Sequence, residues 1–180
     1  MIGECLQQEE EFGVVFYDGS KIKNIGCLAR ITRVSKKYDD GRMDILTQGT
    51  RRFMIDHLDE EKEYLQAEVS YFDDDDFEDF IVSQEKHDQA IDLLRQIAEI
   101  TRNNPDLVSS HEFSTQQLSF IIASIEGFTA QEKQEFLEMR STAKRLDKGI
   151  EALDKLIERI RINDEIKKII GGNGHLPELL

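Results

Sequence analysis

The sequence predicts an α+β fold, with an antiparallel β lobe first and a helical lobe second. Three observations predict it. Through residue 72, short runs of β-branched, apolar and aromatic residues alternate with polar ones between Gly- and Asp-containing turns. Asp73 to Asp79 (DDDDFED) then places five aspartates and a glutamate in seven residues, which repel one another and resist burial. Beyond it the apolar spacing lengthens to that of a helix.

The elements follow in order. Met1 to Glu11 fits the end of a helix with Ile2, Cys5 and Leu6 on one face, and Phe12 to Tyr17 fits a strand closed by the turn dipeptide Asp18-Gly19. Asn24 to Val34 alternates through Ile25, Cys27, Ala29 and Ile31, after which Asp39-Asp40-Gly41 turns the chain. Met43, Ile45 and Thr47 alternate on the return, and Gly49 is expected to interrupt that strand at a bulge. Arg52 to Leu58 and Tyr64 to Phe72 are two further strands, joined through Asp59-Glu60-Glu61-Lys62.

In the helical half, Ser83 is placed to cap a helix bearing Ala90, Ile91, Leu94, Ile97 and Ala98, which stops before Asn103-Asn104-Pro105. Ser114 to Gln117 and Thr129 to Glu132 both have the form of a capping box, the first with Phe113 and Leu118 placed as a hydrophobic staple. Leu146, Ile150, Leu153, Ile157 and Ile160 form one apolar stripe. Their helix, from Ser141 to Ile170, would be about 45 Å long. Lys167 and Lys168 suit its C-terminal dipole, and Gly171-Gly172 is expected to end it. The stripe is short for a coiled coil, so packing against the other helices is its expected use, with partner binding or dimerisation the alternative. The organisation expected is a β lobe over 1–72, an acidic linker over 73–82, a helical lobe over 83–170 and a flexible tail over 171–180.

Composition narrows the function. The 180 residues carry a net charge of −14, which disfavours a general nucleic-acid binder, since phosphate binding draws on clustered Lys and Arg. Residues 30–52 depart from this: Arg30, Arg33, Lys36, Lys37, Arg42, Arg51 and Arg52 outnumber Asp39, Asp40 and Asp44, a local excess of +4. Such a stretch suits an acidic partner or simply a solvated hairpin face. Cys5 and Cys27 have no paired spacing and fit a reducing cytoplasm. No apolar run is long enough to cross a membrane as a helix.

Catalytic constellations are hard to find. His57, His87, His111 and His175 are far apart and lack a second ligand at metal spacing. The acidic run lacks the glycine and distant glutamate of a calcium loop. Cys27 lies on the apolar face of its strand, as a small core residue would. Ser141 and Lys144 match Ser-x-x-Lys, but Ser141 stands where a helix begins and its hydroxyl is read as an N-cap. Gly171-Gly172-Asn173-Gly174 follows a helix instead of opening one, so it lacks the geometry of a phosphate cradle. No enzyme, cofactor or metal site is expected.

The β half resembles the N-terminal domain of the Lon protease family. Gly26-Cys27-Leu28-Ala29-Arg30-Ile31 is similar to that family's Gly-x-x-Ala-x-Ile strand, followed by Asp40-Gly41-Arg42 at the hairpin and Gly49-Thr50-Arg51-Arg52-Phe53 beyond it. Phe12 to Val15 and Tyr64 to Val69 resemble the flanking strands, and Glu132-Lys133-Gln134 with Arg145-Leu146 the closing helices. The likeness covers about Met1 to Ile160. It implies a PUA-like β pseudo-barrel followed by a helical lobe ending in one long helix. It also implies a cytoplasmic, bacterial module that recruits unfolded or tagged polypeptide, without the ATPase and Ser-Lys protease modules. Family members begin with an apolar strand and a Phe-Pro-Gly-type turn upstream of the position of Met1, so a shortened N-terminus is expected.

Extended chains are therefore expected either to add to an exposed barrel edge or to lie in a groove between the lobes. Arg51, Arg52, Phe53 and Tyr71 are the expected protein or peptide contacts, although core packing is the commoner role for a residue such as Phe53. The alternative is RNA binding by the basic hairpin over 30–52, and a third reading is a hydrolase built on Ser141 and Lys144. No membrane contact is expected, and the sequence does not decide between a monomer and a weak dimer.

Overall fold

The computed structural model describes residues 1–59, 64–75, 84–101, 113–125 and 127–172, with side chains through residue 167. The connection through Glu60, Glu61 and Lys62, the acidic run beyond Asp75, the Ser83 cap and the Asn103-Asn104-Pro105 stop lie outside the described residues. So do His111, His175, the Lys168 side chain and the chain from 173 onward.

The elements run α1 (Ile2–Gln8), β1 (Phe12–Tyr17), β2 (Ile22–Lys37), β3 (Met43–Asp59), β4 (Gln66–Tyr71), α2 (Gln84–Thr101), α3 (Thr115–Ser124), α4 (Ala130–Glu138) and α5 (Thr142–Gly172). This is an α+β fold in which the chain forms two compact units. Met1–Asp74 and Ala130–Arg140 make the first, and Asp75–Thr129 with Ser141–Leu180 the second.

The first unit is built on an antiparallel sheet in the order β1-β2-β3-β4. Its first turn is fixed by Asp18, whose carboxylate accepts from the Ser20 hydroxyl at 2.8 Å and from the Ser20 and Lys21 amides at 3.0 and 3.1 Å. Those bonds, the Ser20 hydroxyl foremost, hold the Asp18 carboxyl well below the usual carboxylate range. The second turn uses Gly41 at φ +90°, a conformation that costs glycine little. Past Ala29, β2 has no further pairing with β1, and before Phe53, β3 has none with β4. The distal hairpin is therefore a two-stranded ribbon.

Register shifts occur in all three ladders, which bends and twists the strands so that the sheet curls. β3 runs through Gly49 without ending, and the bulge expected there is present: between the Ala29–Gly49 and Cys27–Arg52 pairs, β3 carries one residue more than β2. A Cβ at Gly49 would lie 3.2 Å from the Cys27 sulfur, a tight approach that glycine avoids. Burial pushes the Cys27 thiol up, partly offset by the Thr50 and Arg51 amides.

The short helix α4, which follows Thr129, groups with the sheet and not with the other later helices. Its buried Gln134 explains this, since the side-chain amide donates to the Ile25 carbonyl of β2 at 3.0 Å. A helix period alone carries no sign of such a backbone partner.

The second unit has the expected stripe at its centre. Ile91 and Leu94 of α2, Leu118 and Ile122 of α3, and Leu146 and Leu153 of α5 are all buried in one apolar cluster. Gly149 lets α5 approach α3, because a Cβ there would meet Ile122 at 3.1 Å. Ser114 and Gln117 form the reciprocal capping box read from the sequence. Ser141 caps α5, its hydroxyl accepting from the Lys144 amide at 3.3 Å. α5 is described as far as Gly172, so the glycine pair expected to end it forms its last described residues.

Candidate functional site

Successive residues of a strand face opposite sides of its sheet, and β3 uses this to divide Arg51, Arg52 and Phe53. Phe53 lies opposite Gly26 on β2 and Tyr71 on β4. A Cβ at Gly26 would come within 2.6 Å of the Phe53 ring and of the Val14 carbonyl oxygen, and one at Gly13 within 3.2 Å of the ring. The two glycines make a slot across three strands, in which Phe53 is only 3% exposed. Phe53 is thus the floor of the concave face.

Around this floor lies a trough of about 610 Å³, room for several side chains though not for a folded domain. Val15, Leu28, Ile55 and Val69 continue the apolar lining, and Cys5 of α1 closes one side. On the β4 side the lining is open: Tyr64, Leu65 and Tyr71 are 36, 50 and 47% exposed. Ala67, Val69 and Tyr71 of β4 line the trough at a two-residue period, joined at the start of the strand by Tyr64, Leu65 and Gln66. The sequence reading singled out Tyr71 alone, although this alternation was the signal for the rest.

Arg51 stands over the Tyr71 ring, its guanidinium carbon 4.5 Å from the centroid. A contact of this kind contributes roughly 0.5–1 kcal/mol at an exposed site. Glu4, Glu10 and Glu11 also line the trough, and among the described residues no Lys, Arg or His does; the Met1 ammonium, also in the lining, pairs with Glu4 at 2.9 Å. Glu11 pairs with Arg30 at 2.7 Å.

Arg52 corrects the expectation that it would serve as a contact. It faces the other side of the sheet and is 7% exposed. Its guanidinium donates to the Leu137 carbonyl oxygen at 3.1 Å, to the Met139 carbonyl oxygen and to the Asp74 carboxylate, with the Phe72 ring 4.7 Å away. A planar fork suits this role, because one group serves the carbonyls that end α4 and a buried carboxylate together. Arg52 is therefore an internal clamp of the β unit. Arg51, Phe53 and Tyr71 come together; Arg52 does not join them.

The basic hairpin is also partly committed within the unit. Arg30 pairs with Glu11, and Arg42 pairs with Asp40 at 2.8 Å. Lys36 and Arg42 lie 4.4 and 5.2 Å from the centre of the Tyr38 ring. The Tyr38 hydroxyl donates to Asp44 at 2.8 Å, which pushes the phenol up. Among the described residues, no three His, Cys, Asp or Glu side chains converge as a metal site, and no helix is long and apolar enough to cross a membrane.

Comparison with known proteins locates this architecture. A family model described as "ATP-dependent protease La (LON) substrate-binding domain" matches residues 1–155. The Lon protease of Protochlamydia amoebophila is 28% identical over 94% of the chain, and that of Flavobacterium johnsoniae 25% over 81%. The chain spans about a fifth of the length of these relatives, 21 and 18% respectively. The crystal structure of a Lon N-terminal domain protein from Xanthomonas campestris superposes with a TM-score of 0.58 at 21% identity, covering 82% of this chain and 78% of that one. The N-terminal domain of a Mycobacterium avium complex Lon protease gives 0.61 at 17% identity, covering 84 and 82%.

Proposed function

Because the chain belongs to the LON substrate-binding domain family, we propose that it is a non-catalytic module whose concave β face holds segments of unfolded protein. The observation that supports this most strongly is the trough itself, with a fixed floor at Phe53 and exposed apolar groups at Tyr64, Leu65 and Tyr71. A well-packed sheet face would bury such side chains; here they stand along one open side. Arg51 and Tyr71 are the contacts proposed at the rim, with Phe53 setting the floor beneath them. The Ser141 hydroxyl is engaged in capping α5, which supports a reading without hydrolysis.

The test is fluorescence anisotropy of a labelled, permanently unfolded polypeptide titrated with the protein at two salt concentrations. Saturable binding that changes little with salt is expected, because burial of apolar surface is not screened. Tyr71→Ala should weaken it about tenfold, and Arg51→Ala less, on the scale of about 1 kcal/mol for a cation–π contact. Absence of binding at both salt concentrations would remove this reading. A labelled RNA is the control: binding of RNA alone, falling steeply with salt, would move the function to the basic hairpin.

A further inference from the structure

We propose that the trough takes its occupant as an added β-strand along β4, and that it selects an extended segment with apolar residues on one face and basic residues on the other. This rests on the reading above and specifies its chemistry. β4 is the last strand of the sheet, paired only with β3 among the described residues. Alternate residues of a strand direct both backbone groups to the same side, so β4 presents a row of donors and acceptors away from β3. Its six residues span about 20 Å.

Sheet edges are commonly blocked by Lys, Pro or a covering element. Gln66-Ala67-Glu68-Val69-Ser70-Tyr71 carries neither Lys nor Pro. The opposite edge is less suited. On β1 the residues lining the trough are Phe12, Gly13 and Val15, of which Phe12 and Val15 are half-buried, whereas the exposed Val14 pairs with Cys27 on the other face. Exposed apolar side chains that line the trough are instead concentrated beside β4.

An added strand places every second side chain over the trough, next to Ala67, Val69 and Tyr71, where apolar groups are well accommodated. The intervening side chains fall beside Glu68, which is exposed on the far face of β4. Opposite charges across a strand pair are stabilising and like charges are not. Glu10 in the trough and the net charge of −14 favour the same sign of partner, Glu4 and Glu11 being paired already with the Met1 ammonium and Arg30.

The test uses the wild-type protein and four labelled eight-residue peptides. These are alternating Val-Lys, alternating Val-Glu, Val-Lys with N-methylation at every Val, and Val-Lys with N-methylation at every Lys. A strand offers one hydrogen-bonding edge to β4 and leaves the other in solvent. One methylation phase should therefore weaken binding tenfold or more while the other is tolerated, and Val-Glu should bind at least tenfold more weakly than Val-Lys. Equal effects of both methylation phases, or none from either, would overturn strand addition. Equal affinity for Val-Glu would overturn the charge selection. If the unfolded polypeptide still binds in those cases, the trough reading survives and only this inference fails; if it does not bind, both fall.

Discussion

The helical unit and the β unit use apolar residues in opposite ways. In the helical unit the stripe of α5 is consumed by its own core: Leu146 and Leu153 are fully buried, and Ile122 and Leu118 of α3 meet them in the same cluster. In the β unit, Phe53 is sealed while Tyr64, Leu65 and Tyr71 on the same concave side remain open. The difference teaches where each unit's sequence is spent. One set of residues supplies stability, and the other supplies a surface whose apolar groups are held in place without being covered.

The largest expected effect comes from the clamp under that surface. Arg52→Ala leaves the Asp74 carboxylate and the Leu137 and Met139 carbonyls without the guanidinium, so a loss of about 3–5 kcal/mol is expected. Urea unfolding followed by a β-unit probe would measure it. Leu153→Ala should cost about 2–5 kcal/mol in the other unit. If the contrast holds, a version still folded at low temperature should bind polypeptide with unchanged affinity. Weakened binding would show that the helical core also shapes the site.

Gly26→Ala sharpens the contrast from the β side. Its new methyl would meet the Val14 carbonyl oxygen and the Phe53 ring at 2.6 Å, displacing the floor at a cost of about 1–3 kcal/mol. Binding should fall along with stability, whereas Leu153→Ala should separate the two. Ser114→Ala removes one member of the capping box and should lower the helical unit's stability by about 1 kcal/mol, read as a shift in its thermal midpoint.

The smallest effect is one of pH. The Asp18 carboxyl is held below its unfolded value by the Ser20 and Lys21 donors. Its contribution is therefore complete above the unfolded carboxylate value, about pH 4, and is lost progressively as pH falls from there toward the lower folded value. Asp18→Asn should be less stable than the wild type at pH 7, with the difference shrinking toward pH 2. Parallel stability curves in acid would count against the assignment of the turn to this carboxylate.

Much of this organisation was legible in the chain because it depends on local pattern. Alternation located the strands, the Ser-x-x-Gln spacing located the start of α3, and the stripe of α5 identified its buried face. What escaped depends on partners far away in sequence. Arg51 and Arg52 are neighbours of identical chemistry, and only the pleat together with Asp74, Leu137 and Met139 separates a rim residue from an internal clamp. The placement of α4 rests on the Gln134 bond to Ile25, 109 residues away. The trough was half visible, since Leu65, Ala67, Val69 and Tyr71 alternate plainly, but the slot that Gly13 and Gly26 make for Phe53 needs three strands in register.

The most direct test of the central claim is amide hydrogen exchange with and without saturating unfolded polypeptide. Binding in the trough predicts new protection along β4, from Gln66 to Tyr71, and at the trough-lining Leu28 and Ile55, with the helical core around Leu118 and Leu153 unchanged. Protection confined to the distal hairpin between Arg30 and Gln48, or to the helices, would contradict it.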